Sequence, residues 1–202
     1  MINELSAVAG RPVSRETFEK LEAYAASLKE ESKRQNLVSA STLGDLWKRH
    51  ILDCAQLVRF EPRSGASWLD IGSGAGLPGI VIACIVDGPV VLVEPRRLRA
   101  EFLHKLCESL QINASVYPGK VERVEGSPEI ITARAVANLT QVLKISAHLS
   151  TRNTVWALPK GRNALEELAE ARRSWQGVFH VKQSVTDADS YIVVGTGVRA
   201  GR

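Results

Sequence analysis

Two acids and four glycines make the pattern with the clearest chemical content in this chain. Asp70 closes the first part of the apolar run Trp68-Leu69-Asp70-Ile71, and Glu94 closes Val90-Val91-Leu92-Val93-Glu94. Between them Gly72, Gly74, Gly76 and Gly79 fall within eight residues, and Leu77-Pro78 leads into a second apolar run, 80–86. Glycines at that density forfeit side-chain packing and raise the entropy cost of folding. A chain accepts this where the backbone must bend tightly or let a ligand approach closely. Strand, glycine-rich turn and a helix with proline near its first turn describe a helix N-terminus at the carboxyl edge of a parallel sheet. A nucleotide-like ligand lies over such an edge.

Gly74, Gly76 and Gly79 satisfy the G-x-G-x-x-G fingerprint, which several nucleotide-binding folds share. Asp70 narrows the choice, because a carboxylate just before the glycines can meet a ligand ammonium, directly or through water, and would repel a pyrophosphate. Glu94 stands where an acid accepts the two hydroxyls of a ribose, a device that NAD enzymes also use. S-adenosyl-L-methionine has the ammonium and the ribose without the pyrophosphate, and is the expected cofactor. An NAD-dependent oxidoreductase is the alternative that the loop itself leaves open, and a non-catalytic RNA-binding module is the alternative suggested by charge.

Three further groups fall at the carboxyl ends of expected strands. Arg134 interrupts the apolar run 130–137, where a surface role is hard to find and contact with ligand or substrate is expected. Val121-Glu122 can border an adenine ring, although a glutamate in the first turn of a solvated helix reads equally well. Lys160-Gly161-Arg162 can bind phosphate as a point charge and a fork, or simply be a solvated loop.

The elements that must position these residues alternate. Strands are expected at 67–71, 90–94, 114–117, 130–133, 154–158, 178–183 and 191–195, and helices at 77–86, 98–110, 139–147 and 164–175. This is an α/β fold, a doubly wound, mostly parallel sheet of the Rossmann-like kind. The last two strands have no helix between them and form an antiparallel pair at the edge, the ending of the class I methyltransferase variant. Two helices precede the sheet. The first covers 13–35, with Ser14 as N-cap and Phe18, Leu21, Ala25 and Leu28 on one face. The second covers 42–60, with Leu43, Leu46, Trp47, Ile51, Cys54, Leu57 and Val58 recurring at three and four. His50 lies on its inward stripe, and Arg49 and Asp53 form an i, i+4 pair beside it. A packed histidine next to a structural ion pair is the plain reading of that trio.

With 202 residues, 45% hydrophobic and 24% charged, the chain fits one domain, 1–202, made of a helical section (1–62) and a cofactor-binding core (63–202). Cys54, Cys84 and Cys107 are widely separated and odd in number, so buried reduced thiols are expected and no metal site. No apolar stretch is long enough to span a bilayer, and the N-terminus lacks a basic region before an apolar core, so the protein is expected in the cytoplasm. The net charge of +4 is modest. Its basic clusters include Lys48-Arg49, Arg96-Arg97-Arg99 and Lys160-Gly161-Arg162, which allow a face for a polyanion.

The chain resembles the RsmG family, also called glucose-inhibited division protein B. The resemblance is carried by Asn36-Leu37-Val38-Ser39, Arg49-His50-Ile51-Leu52-Asp53, the stretch from Asp70 to Ile80 with Gly76-Leu77-Pro78-Gly79-Ile80, Arg123 after Val121-Glu122, Thr132-Ala133-Arg134-Ala135, and Leu158-Pro159-Lys160-Gly161. These pieces span nearly the whole chain. The chain departs from the family's pattern at Cys54, at Pro159 and at Pro95-Arg96-Arg97. The resemblance implies an S-adenosylmethionine-dependent methyltransferase acting on N7 of a guanine, guanine 527, in 16S ribosomal RNA. It implies the small ribosomal subunit or its RNA as partner, with no membrane and no obligate protein partner. It also implies cofactor contacts from Gly72, Leu77, Val121, Glu122 and Arg134.

Such a reaction suits a chain without an obvious base. Guanine N7 offers an in-plane lone pair and no proton, so alignment matters more than proton removal. Arg134, Lys160, Arg96 and Arg97 are then expected to position RNA or cofactor, and Arg49, His50 and Asp53 to form a substrate-facing surface.

Overall fold

The computed structural model describes residues 1–39 and 44–201. Seven strands form one sheet: β1 (Trp68–Ile71), β2 (Val90–Val93), β3 (Ala114–Tyr117), β4 (Ile130–Ala133), β5 (Val155–Pro159), β6 (Trp175–Gln183) and β7 (Tyr191–Ala200). Their order is β3-β2-β1-β4-β5-β7-β6. β1 to β5 run parallel, whereas β7 is antiparallel to both β5 and β6. The order reverses between β1, which pairs with β2, and β4, so the carboxyl ends of β1 and β4 border the crevice of such a sheet.

Side-chain alternation along β1 divides the core in two. Trp68 faces a cluster built with α1 (Ile2–Ala9), α2 (Arg15–Glu31), α4 (Gly79–Ile85) and α5 (Arg97–Leu110). Leu69 and Ile71 face the opposite cluster, with α6 (Leu139–Ser146) and α7 (Ala164–Ala171). α2 begins as the sequence suggests, with the Ser14 hydroxyl accepting the Thr17 N–H. α1 carries no sequence expectation and buries Leu5 and Ala9 against the same cluster as α2.

The second expected helix is irregular. Its first residues fall outside the described ones. The remainder, here called α3, runs through a π-helical turn (Trp47–Leu52), a short α segment (Asp53–Ala55) and a 3₁₀ segment (Gln56–Phe60).

The C-terminal third differs from expectation in where its elements end: the last strand, expected at 191–195, runs to Ala200. Helix α7 stops at Ala171, and Trp175 is the first residue of β6. Leu168, Ala171 and Trp175 are spaced as a helix would space them, and all three are buried in one cluster. Pairing decides otherwise: Trp175 aligns with Ala200, and the Gly201 N–H donates to the Ser174 carbonyl at 2.7 Å. The basic tail is therefore a strand, with Arg199 donating to the Gln176 carboxamide at 3.0 Å.

Among the described residues, no helix is long and apolar enough to cross a membrane. No group of three or more His, Cys, Asp or Glu side chains among them could hold a metal ion. All three cysteines are buried free thiols.

Candidate active site

The glycine loop is held from below by the two acids. Gly72, Gly74 and Gly76 take positive φ values of 66°, 54° and 95°, a region costly for any residue with a Cβ. At Gly72 a Cβ would also lie 2.7 Å from Val136 Cγ2. At Gly74 it would meet nothing nearer than 3.6 Å, so the backbone there is open to a ligand. Gly76 faces the protein instead, where a Cβ would lie 2.7 Å from Ile80 Cγ1.

Asp70 does not face the cavity. Alternation along β1 sends its side chain to the same side as Trp68, toward α4, where Oδ2 accepts the Gly79 N–H at 3.0 Å. It is fully buried, Oδ1 has no hydrogen-bond partner among the described residues, and burial pushes its carboxyl up to about 7. Direct contact with a ligand ammonium is therefore replaced by a brace beneath the loop. Glu94 lies one residue past β2 and is also buried. Its Oε2 accepts the Gly74 N–H at 2.9 Å and its Oε1 accepts the Arg96 N–H at 2.8 Å. Each oxygen keeps a lone pair for a hydroxyl.

Above the loop lies a cavity of about 320 Å³, walled by Leu37, Val38, Ser39, His50, Gly72, Ser73, Gly74, Ala75, Leu77, Arg99, Arg134 and Ala135. Val121 and Glu122 do not line it. Val121 is buried beneath its own 3₁₀ turn, and Glu122 is exposed. The sequence reading missed two contributors. Arg99 reaches the wall from α5, its guanidinium donating to the Asn36 carbonyl at 3.4 Å, and its only sequence signal was membership of a basic cluster. Tyr24 on α2 donates its hydroxyl to the Ala75 carbonyl at 3.0 Å, a bond across the fold that no local pattern announces.

Arg134 follows β4 and precedes Ala135, whose φ of 55° is uncommon outside glycine and asparagine. Its guanidinium donates to Cys54 Sγ at 3.1 Å, to His50 Nδ1 at 2.9 Å and to the Arg49 carbonyl at 3.4 Å. A guanidinium only donates, so His50 accepts through Nδ1 and is neutral, with its proton on Nε2. Burial and then the Arg134 charge lower its pKa to about 4. Burial likewise pushes the Cys54 thiol up to about 12.

The expected Arg49–Asp53 pair is absent. Arg49 faces Asp45 at 3.9 Å, and Asp53 Oδ2 lies 3.7 Å from Arg134 Nη2. Arg49 reaches back one turn to Asp45, and Asp53 is engaged by Arg134 and by Thr186 from distant parts of the chain. Lys160 is likewise no free phosphate ligand. Its nearly buried ammonium donates to the Ala137 carbonyl at 2.7 Å and pairs with Glu167 Oε2 at 3.1 Å. Arg162 pairs with Asp189 at 2.6 Å, and Arg97 with Glu101 at 3.6 Å. Arg96 is exposed, with no partner for its guanidinium among the described residues.

Two polar cavities adjoin the first at Arg134. One, about 330 Å³, is lined by residues including Asp53, Gln56, Arg134, Lys160, Glu167 and Ser184. The other, about 480 Å³, is lined by residues including Lys48, Arg49, His50, Asp53, Arg134, Arg162 and Thr186. A larger hollow of about 520 Å³ lies against β1 to β3, near Val91, Tyr117 and Pro128. It lacks the glycine loop and Arg134, which the cavity above the loop brings together.

Solved structures share the fold. MtNAS, as a mutant in complex with S-adenosylmethionine, matches with a TM-score of 0.59 at 17% identity, over 88% of this chain and 74% of that one. M. jannaschii TYW2 in complex with AdoMet matches with a TM-score of 0.56 at 12% identity, over 75% and 76%. Sequence relatives are nearer. The chain is 47% identical over 183 residues to the ribosomal RNA small subunit methyltransferase G of Erythrobacter litoralis (strain HTCC2594), covering 89% of this chain and 88% of that one. It is 44% identical over 195 residues to the protein of the same name from Zymomonas mobilis subsp. mobilis, covering 92% and 88%. The GidB profile, rRNA small subunit methyltransferase G, matches residues 17–191. With the seven-strand order, the glycine loop and matches that run through nearly the whole chain, this protein belongs to the rRNA small subunit methyltransferase G family.

Proposed function

We propose that this chain, acting as one domain, methylates N7 of a guanine in 16S ribosomal RNA with S-adenosyl-L-methionine as donor, and that the nucleotide is guanine 527 as the family resemblance implies. Arg134 carries the reading, because it separates the cavity over the glycine loop from two polar cavities large enough for a nucleotide. A methyl donor on one side and a base on the other meet at that residue.

The residues of the first cavity fit the cofactor. Gly74 leaves the backbone bare, Leu37, Val38 and Leu77 supply apolar wall, and Arg99 and Arg134 supply positive charge for a carboxylate. Asp70 and Glu94 act by holding the loop, and Glu94 keeps lone pairs for ribose hydroxyls. Held there, the cofactor would supply an electrophilic methyl to the N7 lone pair, with the C–S pair left on sulfur and the positive charge passed to the purine.

N7 has no proton to lose, so the protein contributes alignment, an effect that reaches ~7–11 kcal/mol in well-ordered systems. Neutral His50 adds no cation beside the base, and Asp53 at 3.7 Å offsets the charge of Arg134. Lys48, Arg49 and Arg96 are exposed and suited to RNA phosphates. The substrate is the small subunit or its RNA in the cytoplasm, with no obligate protein partner.

Incubation with labelled S-adenosylmethionine and small-subunit RNA from a strain lacking the protein, followed by mapping, tests the reading. One labelled guanine, sensitive to cleavage chemistry selective for 7-methylguanine, is expected. Label elsewhere, or none, overturns it.

A further inference from the structure

Resting on the reading above, we propose that the polar cavity beside Arg134 holds the target guanine, that Asp53 accepts its N1–H, and that Arg134 serves its O6. Gln56 and Thr186 are positioning residues that aim the Asp53 carboxylate.

Asp53 is the only carboxylate that lines both polar cavities at their junction with Arg134 among their described lining residues. Its two oxygens differ. Oδ1 accepts from Gln56 Nε2 at 2.9 Å and from Thr186 Oγ1 at 2.8 Å, which fills its lone pairs. Gln56 is itself locked: it is buried, its Nε2 also donates to Ser184 Oγ at 2.9 Å, and its Oε1 accepts the Val185 N–H at 2.9 Å. The carboxylate therefore cannot rotate freely. Oδ2 has only Arg134, at 3.7 Å, beyond hydrogen-bond distance, and keeps acceptor capacity toward the cavity.

Guanine presents N7, O6, N1–H and N2–H in that order along its edge. The site presents the glycine-loop cavity, the Arg134 donors and the Asp53 acceptor in the same order. With N7 toward the methyl donor, O6 falls to a guanidinium and N1–H to a carboxylate. Adenine fails at the second and third of these, since it offers an amino group and a bare N1 lone pair. Pyrimidines lack N7.

The same contact assists the reaction. Positive charge arriving at the imidazole ring makes N1–H a stronger acid, so its bond to Asp53 strengthens in the transition state, where binding raises rate.

The test uses full-length protein and small-subunit RNA transcripts with guanosine, inosine or adenosine at the mapped position. Wild-type protein is expected to prefer guanosine over adenosine by at least about 1,000-fold in kcat/KM, as sites built on buried hydrogen bonds do. Inosine keeps N7, O6 and N1–H and is expected within about tenfold of guanosine. Asp53→Asn is expected to shrink the guanosine-to-adenosine ratio about 10- to 100-fold, the loss of one hydrogen bond to a charged acceptor, with S-adenosylmethionine affinity unchanged by calorimetry. Equal losses on both RNAs would assign Asp53 to holding the hairpin and overturn the proposal. So would inosine rejected as strongly as adenosine, a wild-type result that needs no variant to fold. Wild-type protein that leaves guanosine RNA unmethylated overturns the function itself, a distinct outcome.

Discussion

The Tyr24 hydroxyl donates to the carbonyl of Ala75 at 3.0 Å, joining α2 to the crest of the glycine loop. Both groups are buried, so the bond makes the N-terminal section part of the site's frame rather than a cover. Tyr24→Phe leaves the carbonyl unpaired and is expected to cost about 1–3 kcal/mol of stability in urea titration. S-adenosylmethionine affinity should fall with it. Stability loss with unaltered affinity would separate α2 from the loop's function.

Gly72 holds φ at 66°, and any Cβ there meets Val136. Gly72→Val is expected to weaken S-adenosylmethionine binding by at least tenfold while RNA binding, carried by exposed basic residues outside the loop, persists. The left-handed backbone adds about 1–2 kcal/mol of destabilisation. Calorimetry and a filter-binding assay read the two affinities separately, and parallel loss of both would contradict the division of the site at Arg134.

Half-buried His50 and buried Asp70 impose opposite pH dependence. His50, lowered to about 4 from 6.5, binds fewer protons folded than unfolded between those values, so its contribution is present above 6.5 and is lost as pH falls toward 4. Asp70, raised to about 7 from 3.8, binds more protons folded, so its contribution declines as pH rises from 3.8 to 7. Asp70→Asn should remove the declining limb and leave stability rising between pH 4 and 6.5 in denaturant titrations. An unchanged profile would mean that Asp70 ionises as an ordinary carboxyl does.

Lys160 and Arg96 separate structure from RNA contact. Lys160→Ala strips a partner from Glu167 and from the Ala137 carbonyl, and should destabilise the fold by about 2 kcal/mol while leaving the salt dependence of RNA binding intact. Arg96→Ala should do the reverse, lowering the slope of log affinity against log salt by about one with little change in melting temperature. The two readouts exchanged would show that Lys160 reaches phosphate after all.

Much of this was legible in the chain. The alternation of short apolar runs with turn residues located β3 and β4 to the residue, and Ser14 was legible as the cap of α2, because a short run between turns and a bond three residues away are local features. The glycine loop announced itself by composition. Arg134 stood out because a lone cation in an apolar run needs a partner or a ligand. The Trp175 error shows the limit, since the same 3–4 spacing served a helix and then a strand.

What the sequence by itself determined is the order of elements, the loop that curves around a ligand and the acids near the carboxyl ends of β1 and β2. What only the tertiary structure decided is which way those acids point and who pairs with whom. Strand alternation turned Asp70 under the loop, Arg49 turned back to Asp45, and packing delivered Asp53 to Arg134 and Thr186 across 80 or more residues. Backbone propensities act over a few residues, whereas partners for charge are chosen by whatever the folded chain brings within reach.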